Sequence, residues 1–460
     1  MGSNTPKEVD LIIKRGLCVT SDPDHPTHTS GSIAVSSGTI VAVGCDEIVA
    51  TNYYSGNVID ADGAIVHAGF IDPHVHLTSA AFHAFDLDAL ASSGPTYVDL
   101  KCATDDDITA ALSSAFAVAM LRKGYTLFSE AGTVFETDAM ADAVAGCGVR
   151  ALVSAPYAWD ELSVMRVSSR GLIPEKMLNR APPDFATSIE ALERELGRNS
   201  DPKNLVQGFV CIYGEGCCSD ELTIAAKNLA RQHDTIFNQH LGYLADAYAA
   251  EYQQQGESGV RRLQRLEVLD NLTTLTHLNA ISAADADIIV ADGVNVIWCP
   301  LSVLQRALFV NSEVQQIGLF RRGVPVAIAV DTLLSFPLGS PAIAASLLAG
   351  ALRQPLSNSD ILSMQTLDAA RCLGQDARLG SLSVGKKADI VVRAKGDITQ
   401  SPAGIADNLL GISGATIPVD TVVIDGKIVM REGAATLVDE HTVLAKALVE
   451  RQRLLQRAGF

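Results

Sequence analysis

Three absences narrow the class of this chain. No apolar run approaches the ~18–20 residues that a membrane-spanning helix needs, so a membrane partner is not expected. Basic residues are scarce, 35 against 53 acidic ones, and the formal net charge of −18 would repel the phosphates of a nucleic-acid partner. None of the nine cysteines sits in a C-x-x-C pair, their number is odd, and Met1–Asp10 is too polar for a signal peptide. Together these point to a reduced, cytoplasmic setting. The adjacent Cys217 and Cys218 are set aside as a soft metal pair, because neighbouring cysteines rarely converge on one ion.

What is present is a globular chain. Apolar residues make up 48% of it and low-complexity stretches are few. Its 460 residues fit a large barrel plus a smaller accessory domain. Up to Val66 it reads as short strands such as Asp10–Leu17, Ser32–Val35 and Ile40–Val43, punctuated by Gly and Asp. From Gly69 the rhythm becomes apolar strand, loop, helix. The predicted strands are Gly69–His76, Tyr125–Ser129, Arg150–Ala155, Val206–Tyr213, Thr235–His240, Thr273–His277, Val294–Trp298 and Val324–Val330, with helical patterns such as Asp106–Arg122 and Ser219–His233 between them.

This alternation predicts an α/β chain whose residues 67–375 form a (β/α)8 TIM-like barrel. After Gly380 strands return at Asp389–Arg393 and Thr421–Ile424, and the Asp425-Gly426 turn leads into Lys427–Met430. Residues 1–66 and 376–435 are therefore expected to build one composite small β-sandwich domain. Residues 436–460 read as an amphipathic helix packing on the body or on a subunit partner.

Gly69–His76 reads Gly-Phe-Ile-Asp-Pro-His-Val-His. Alternate side chains of a strand share a face, so His74 and His76 offer two imidazoles together, half of a first-row metal site. His240 ends the fifth predicted strand, His277 ends the sixth, and Asp331 follows the eighth. Only ten histidines exist in the chain. Four of them fall at the C-terminal strand ends, where barrel enzymes build their sites.

Those segments, with Asn238–Leu241, Thr276–Leu278 and Ala329–Asp331, resemble the metal-site motifs of the amidohydrolase superfamily. Leu379–Val392, reading Leu-Gly-Ser-Leu-Ser-Val-Gly-Lys-Lys-Ala-Asp-Ile-Val-Val, resembles its C-terminal signature, and Val296–Ser302 is similar to the triazine hydrolase and chlorohydrolase branch. The resemblance spans Leu11 to Gly433. It implies one divalent metal per chain held by His74, His76, His240 and Asp331, with His277 contacting the attacking water or the substrate. It also implies a small-molecule substrate and, with the amphipathic tail, a homodimer or higher homo-oligomer. The donor set independently suits zinc, with iron or cobalt as alternatives. Such a metal lowers the pKa of bound water towards ~7, and Asp331 can take the proton and hand it to a leaving group.

Two departures from the superfamily pattern shape the expected chemistry. Binuclear members carry a bridging carboxylated lysine on the fourth strand. Here Gln207–Tyr213 has none, so a mononuclear site is expected, with Cys211 the one bridging alternative. Deaminases and many triazine hydrolases carry a glutamate three residues after the fifth-strand histidine, which protonates a ring nitrogen. This chain has Tyr243, whose ordinary pKa of ~10 suits hydrogen bonding to a carbonyl instead.

The expectation is therefore hydrolysis of a C–N bond in an amide, urea or carbamate. An N-aryl urea or related xenobiotic would be such a substrate, similar to those of the phenylurea and thiocarbamate herbicide hydrolases. Asp331, His277 and Tyr243 are the expected catalytic residues. The alternative is an aminohydrolase or chlorohydrolase acting on an N-heterocycle such as an s-triazine. His83, Phe82, Glu130, Trp298 and Ser302 are candidate pocket residues. A non-catalytic scaffold is disfavoured, because such relatives lose metal ligands and none is missing here.

Overall fold

The computed structural model describes residues 5–22, 24, 28–77, 97–162, 174–305, 308, 315–332, 340–395 and 417–459. The pocket candidates His83 and Phe82 lie outside the described residues. Eight parallel strands organise the body: β1 (Phe70–Val75), β2 (Tyr125–Glu130), β3 (Arg150–Val153), β4 (Val206–Gly208, continuing as Val210–Gly214), β5 (Phe237–Leu241), β6 (Thr273–His277), β7 (Asn295–Trp298) and β8 (Val326–Ile328). They form two arcs. The first half of β4 pairs with β3, and the second half with β5. At the other seam a parallel bridge joins Val75 to Asp331, just beyond β8. All eight lie where the apolar runs predict them, in an arrangement consistent with a TIM-like barrel.

Period-two alternation sorts each strand. Ile71, Leu127, Leu152, Phe209, Ile297 and Ala327 form one buried cluster inside the barrel. Their neighbours in sequence, such as Phe70, Phe128 and Val153, pack outward against helices through Leu112, Phe116 and Met140. Short α1 (Tyr97–Cys102) precedes α2 (Asp106–Lys123). The Asp105 side chain accepts from the Ile108 N–H to cap α2, and Gly124, at φ 89°, ends it in the left-handed conformation. The terminal helix α3 (Glu440–Ala458) buries Leu454 and Leu455, and Arg453 and Arg457 pair with Asp105. Among the described residues no helix is long and apolar enough to cross a membrane.

The two ends of the chain meet in one connected nine-stranded sheet. Ile65–Ala68 pairs in parallel with Leu11–Val19 and antiparallel with Ile390–Arg393. The N- and C-terminal segments thus share a ladder within one sheet, where a composite β-sandwich was expected. A buried, two-pronged ion pair fastens it to the barrel: Arg150 Nε and Nη2 of β3 donate to Asp389 Oδ2 at 2.8 Å and Oδ1 at 3.1 Å. Breaking a buried pair leaves an uncompensated charge. Arg150→Met should therefore lower stability by about 3–5 kcal/mol in chemical denaturation, and a loss under ~1 kcal/mol would show that the two parts do not depend on this tie.

Candidate metal centre

His74 and His76 close β1, His240 lies on β5, His277 ends β6 and Asp331 follows β8; all five are buried. One candidate donor atom from each of His74, His240 and His277 lies within 4.8 Å of the others, and the same holds for His74, His76 and Asp331. Asp331 Oδ1 is 3.2 Å from His76 Nε2 and 3.8 Å from His74 Nε2. The ring centroids of His74 and His240 are 4.9 Å apart, and those of His240 and His277 5.4 Å. The four expected ligands, from β1, β5 and the end of β8, therefore lie together with His277 of β6.

Backbone geometry at the strand ends aims these groups. Asp331 has φ 61°, His277 φ 83° and Leu278 φ 58°, left-handed conformations that non-glycine residues rarely adopt and that cluster at functional sites. The Asp331 N–H donates to the His74 carbonyl at 2.9 Å, and the His76 N–H to the Asp331 carbonyl at 3.3 Å. Beneath them the buried Asp72 carboxylate accepts from the N–H groups of His74 (3.2 Å, at Oδ1) and Val330 (3.2 Å, at Oδ2), although burial pushes its pKa up to about 8. Ser302 Oγ donates to Asp331 Oδ2, which leaves Oδ1 turned to the imidazoles.

Hydrogen bonds set the tautomers. His240 Nδ1 lies 2.9 Å from the Tyr213 carbonyl, which only accepts, so Nδ1 carries the proton and Nε2 keeps its lone pair. His76 Nδ1 lies 3.0 Å from Thr133 Oγ1, which itself donates to Glu130 Oε1 at 2.5 Å. Thr133 therefore accepts from Nδ1–H, and His76 Nε2 is free to ligate. Buried His74 Nε2 has no hydrogen-bond partner among the described residues. Burial lowers the pKa of His74 to about 3 and of His76 to about 4, keeping both neutral. Burial would raise the Asp331 carboxyl, but His76, His277 and His74 hold it well below the usual range. Neutral imidazoles with vacant lone pairs beside one carboxylate are a donor set fit for a divalent metal.

The remaining sequence candidates divide. Tyr243 reaches the site: its ring is 4.4 Å from that of His277, and its N–H donates to Glu215 Oε1 at 2.8 Å. Glu130 is not a free pocket wall, because its carboxylate takes the N–H and Oγ1–H of Thr133 behind His76. Ser302 touches Asp331 as described. Trp298 is a correction. Ile297 and Cys299 take the inward phase of β7, so Trp298 points outward into the core with Val296, Ile317 and Leu348. Cys211 is also no ligand: burial pushes its thiol pKa up, and Sγ lies 3.3 Å from Asn238 Oδ1.

Besides Thr133 and Glu215, two further residues were missed. Cys299 stands within 4.8 Å of donor atoms of His277 and Asp331. Lys101 of α1 is buried, and burial lowers its pKa to about 7 against the raising influence of Glu130 and Asp331. Its stretch, Ser79–Thr104, has no periodicity from which a buried cation could be inferred.

Fold and site together are those of a barrel-type hydrolase whose donor set fits a divalent metal. The chain belongs to the amidohydrolase family, whose model matches residues 65–429. It is an enzyme of the class that hydrolyses carbon–nitrogen bonds other than peptide bonds. It is 24% identical over 460 residues to a 5'-deoxyadenosine deaminase of Methanosarcina mazei, covering 98% of this chain and 99% of that one. It is 26% identical over 438 residues to a 5-methylthioadenosine/S-adenosylhomocysteine deaminase of Desulforudis audaxviator, covering 93% and 95%. The fold matches a zinc-bound adenosine deaminase from Xanthomonas campestris with TM-score 0.81 and 22% identity, over 98% of this chain and all of that one. It matches the zinc-bound atrazine chlorohydrolase of Arthrobacter aurescens with TM-score 0.79 and 18% identity, over 96% of this chain and all of that one. The expected kinship with phenylurea and thiocarbamate hydrolases finds no support in these relatives.

Thr133→Val should reduce metal affinity about 10–100-fold with the fold intact, measured by competition with a chelator; unchanged affinity would remove Thr133 from the site. The pH dependence of the metal-free protein follows from linkage. His74 and His76 sit below their ordinary pKa of 6.5 when folded, so the unfolded chain binds more protons between about 6.5 and about 4. These two histidines should therefore make metal-free stability fall as pH drops through that window, against the opposite pull of Asp72, so the wild type should lose more stability between pH 7 and 4 than a His74→Asn/His76→Asn variant does in urea titrations. Equal changes in the two proteins would contradict the buried, neutral assignment.

Proposed function

We propose that this enzyme hydrolytically removes an amino group, or an equivalent leaving group, from an N-heterocycle. The full-length likeness to adenine-nucleoside deaminases carries the reading, since the likeness extends beyond the barrel to nearly the whole of both chains. A metal held by His74, His76, His240 and Asp331, for which zinc best suits the donors, would supply Lewis acidity and lower the pKa of water at the site. Asp331 Oδ1, with Oδ2 held by Ser302, would take a proton from the attacking water and return it to the departing nitrogen. His277, in its left-handed backbone, presents its imidazole beside His240 to orient water or the ring.

The second reading, hydrolysis of an acyclic amide, urea or carbamate, is favoured by one observation. Position 243 carries a phenol packed on His277, with no carboxylate of its own to protonate a ring nitrogen. The phenol suits a hydrogen bond to a carbonyl oxygen.

Zinc-loaded protein incubated with aminopurines, aminopyrimidines, amino- and chlorotriazines, N-aryl ureas and N-acyl amides separates the two by mass spectrometry. Ammonia or chloride from a ring supports the first reading. An alkyl or aryl amine from an acyl group alone would overturn it in favour of the second. If the ring reading holds, Tyr243→Glu should raise ring turnover about tenfold or more, by adding an acid where a ring nitrogen needs a proton, and Asp331→Asn should abolish it.

A further inference from the structure

The rings of His277 and Tyr243 stand on two loops whose backbone is held from outside. His277 and Leu278 are both left-handed, at φ 83° and 58°, and such a pair persists only where its surroundings over-determine it. The peptide between them is tied at both ends. Its N–H, on Leu278, donates to the Leu241 carbonyl at 2.9 Å, and its carbonyl, on His277, accepts from Gln316 Nε2. Gln316 belongs to the helix Gln315–Arg321 and is fully buried.

The same amide reaches the second loop. Gln316 Nε2 also donates to Asn279 Oδ1 at 3.2 Å, and Asn279 Nδ2 donates to the Tyr243 carbonyl at 3.2 Å. On its other side the Tyr243 N–H donates to Glu215 Oε1 at 2.8 Å, and the carbonyl of the same peptide, on Gly242, accepts from the Ala280 N–H at 3.1 Å. The partners fix how both amides are turned. A backbone carbonyl only accepts, so Gln316 presents its nitrogen to His277 and Asn279 its nitrogen to Tyr243. One side chain thus holds both loops, and the two rings that they carry lie 4.4 Å apart. Without Gln316 the His277–Leu278 peptide loses one of its two ties and is freer to turn over, which would swing the imidazole away from Tyr243.

We propose that Gln316 is a positioning residue: by holding the His277 carbonyl, and the Tyr243 carbonyl through Asn279, it fixes the two rings against one another beside the candidate metal centre. It acts through His277 and Tyr243. The proposal rests on the reading that these two residues meet the substrate, which both forms of the proposed function share. In the ring form His277 orients water or the ring, and in the acyl form Tyr243 meets the carbonyl oxygen.

The first test needs no substrate. In the zinc-loaded full chain carrying isotope-labelled histidine, NMR reports the imidazole of His277, assigned by its loss in His277→Gln. Tyr243→Leu, which removes the neighbouring ring current, should move that resonance, and Gln316→Met should move or split it with zinc content unchanged. A His277 resonance that stays in place in either variant overturns the proposal, because a loss of stability alone leaves the folded-state signal where it was. Should Gln316→Met not fold, Asn279→Ala, which cuts the strap at its middle and keeps the bond to the His277 carbonyl, carries the same expectation for the same resonance. The second test uses whichever compound the substrate panel turns over. Gln316→Met should lower kcat about 10–100-fold, the usual cost of a displaced catalytic group, with little change in KM. The same substitution should cost far less in a His277→Asn background, since its action passes through His277. Equal costs in the two backgrounds would make Gln316 a merely structural residue. A panel in which nothing turns over would sink the proposed function, while the His277 resonance would still decide what Gln316 does.

Discussion

One residue closes the barrel and completes its ligand set. Asp331 joins the end of the last strand to the first through its own N–H and carbonyl, which bond to His74 and His76, the two imidazoles that its carboxylate faces. Asp72, one layer down, binds the N–H groups of His74 and Val330 and so repeats the tie. Strand closure and metal geometry are thus the same set of contacts. A left-handed backbone at an aspartate costs about 1–3 kcal/mol. It persists because both neighbouring strands and Ser302 over-determine it.

Electrostatics inside the enclosure run opposite to those of the whole chain. The protein carries a formal charge of −18, yet its deepest site is built from neutral imidazoles, two committed carboxylates and a buried ammonium. The histidines stay neutral because burial penalises their charged form, and their protons are parked on a carbonyl and a threonine away from the centre.

The fold was legible where apolar runs have one meaning. All eight strands were, because each is buried on both faces and bounded by helix-forming segments. The ligands were equally legible, since few residue types bind metal and these fell at strand ends. Trp298 shows where reading stopped: a one-residue phase on β7 decides between pocket and outer core, and an apolar run buried on both faces does not declare its phase. Thr133 acts by orienting another side chain, for which sequence offers no period, whereas Ser302 was named from its motif. Lys101 follows the equally buried Leu100 on a one-and-a-half-turn helix, too short for any amphipathic pattern to expose it.

The departure at position 243, read from sequence alone, is the loss of an acid. In the folded chain it is the replacement of one surface by another. Glu215, at φ 53° between Gly214 at φ 72° and Gly216 at φ 71°, turns back to hold the Tyr243 N–H. Three successive left-handed residues make a stiff corner, and that corner fixes the backbone from which the Tyr243 ring leans on His277. Rings then follow one another from Tyr243 through His277, His240, Tyr213 and Tyr157 to Phe135. A glutamate would interrupt that surface with a charge, whereas tyrosine extends it. The substitution thus exchanges a proton donor for aromatic area, and a planar ligand is what that area is shaped to hold, whether its scissile carbon lies in the ring or beside it.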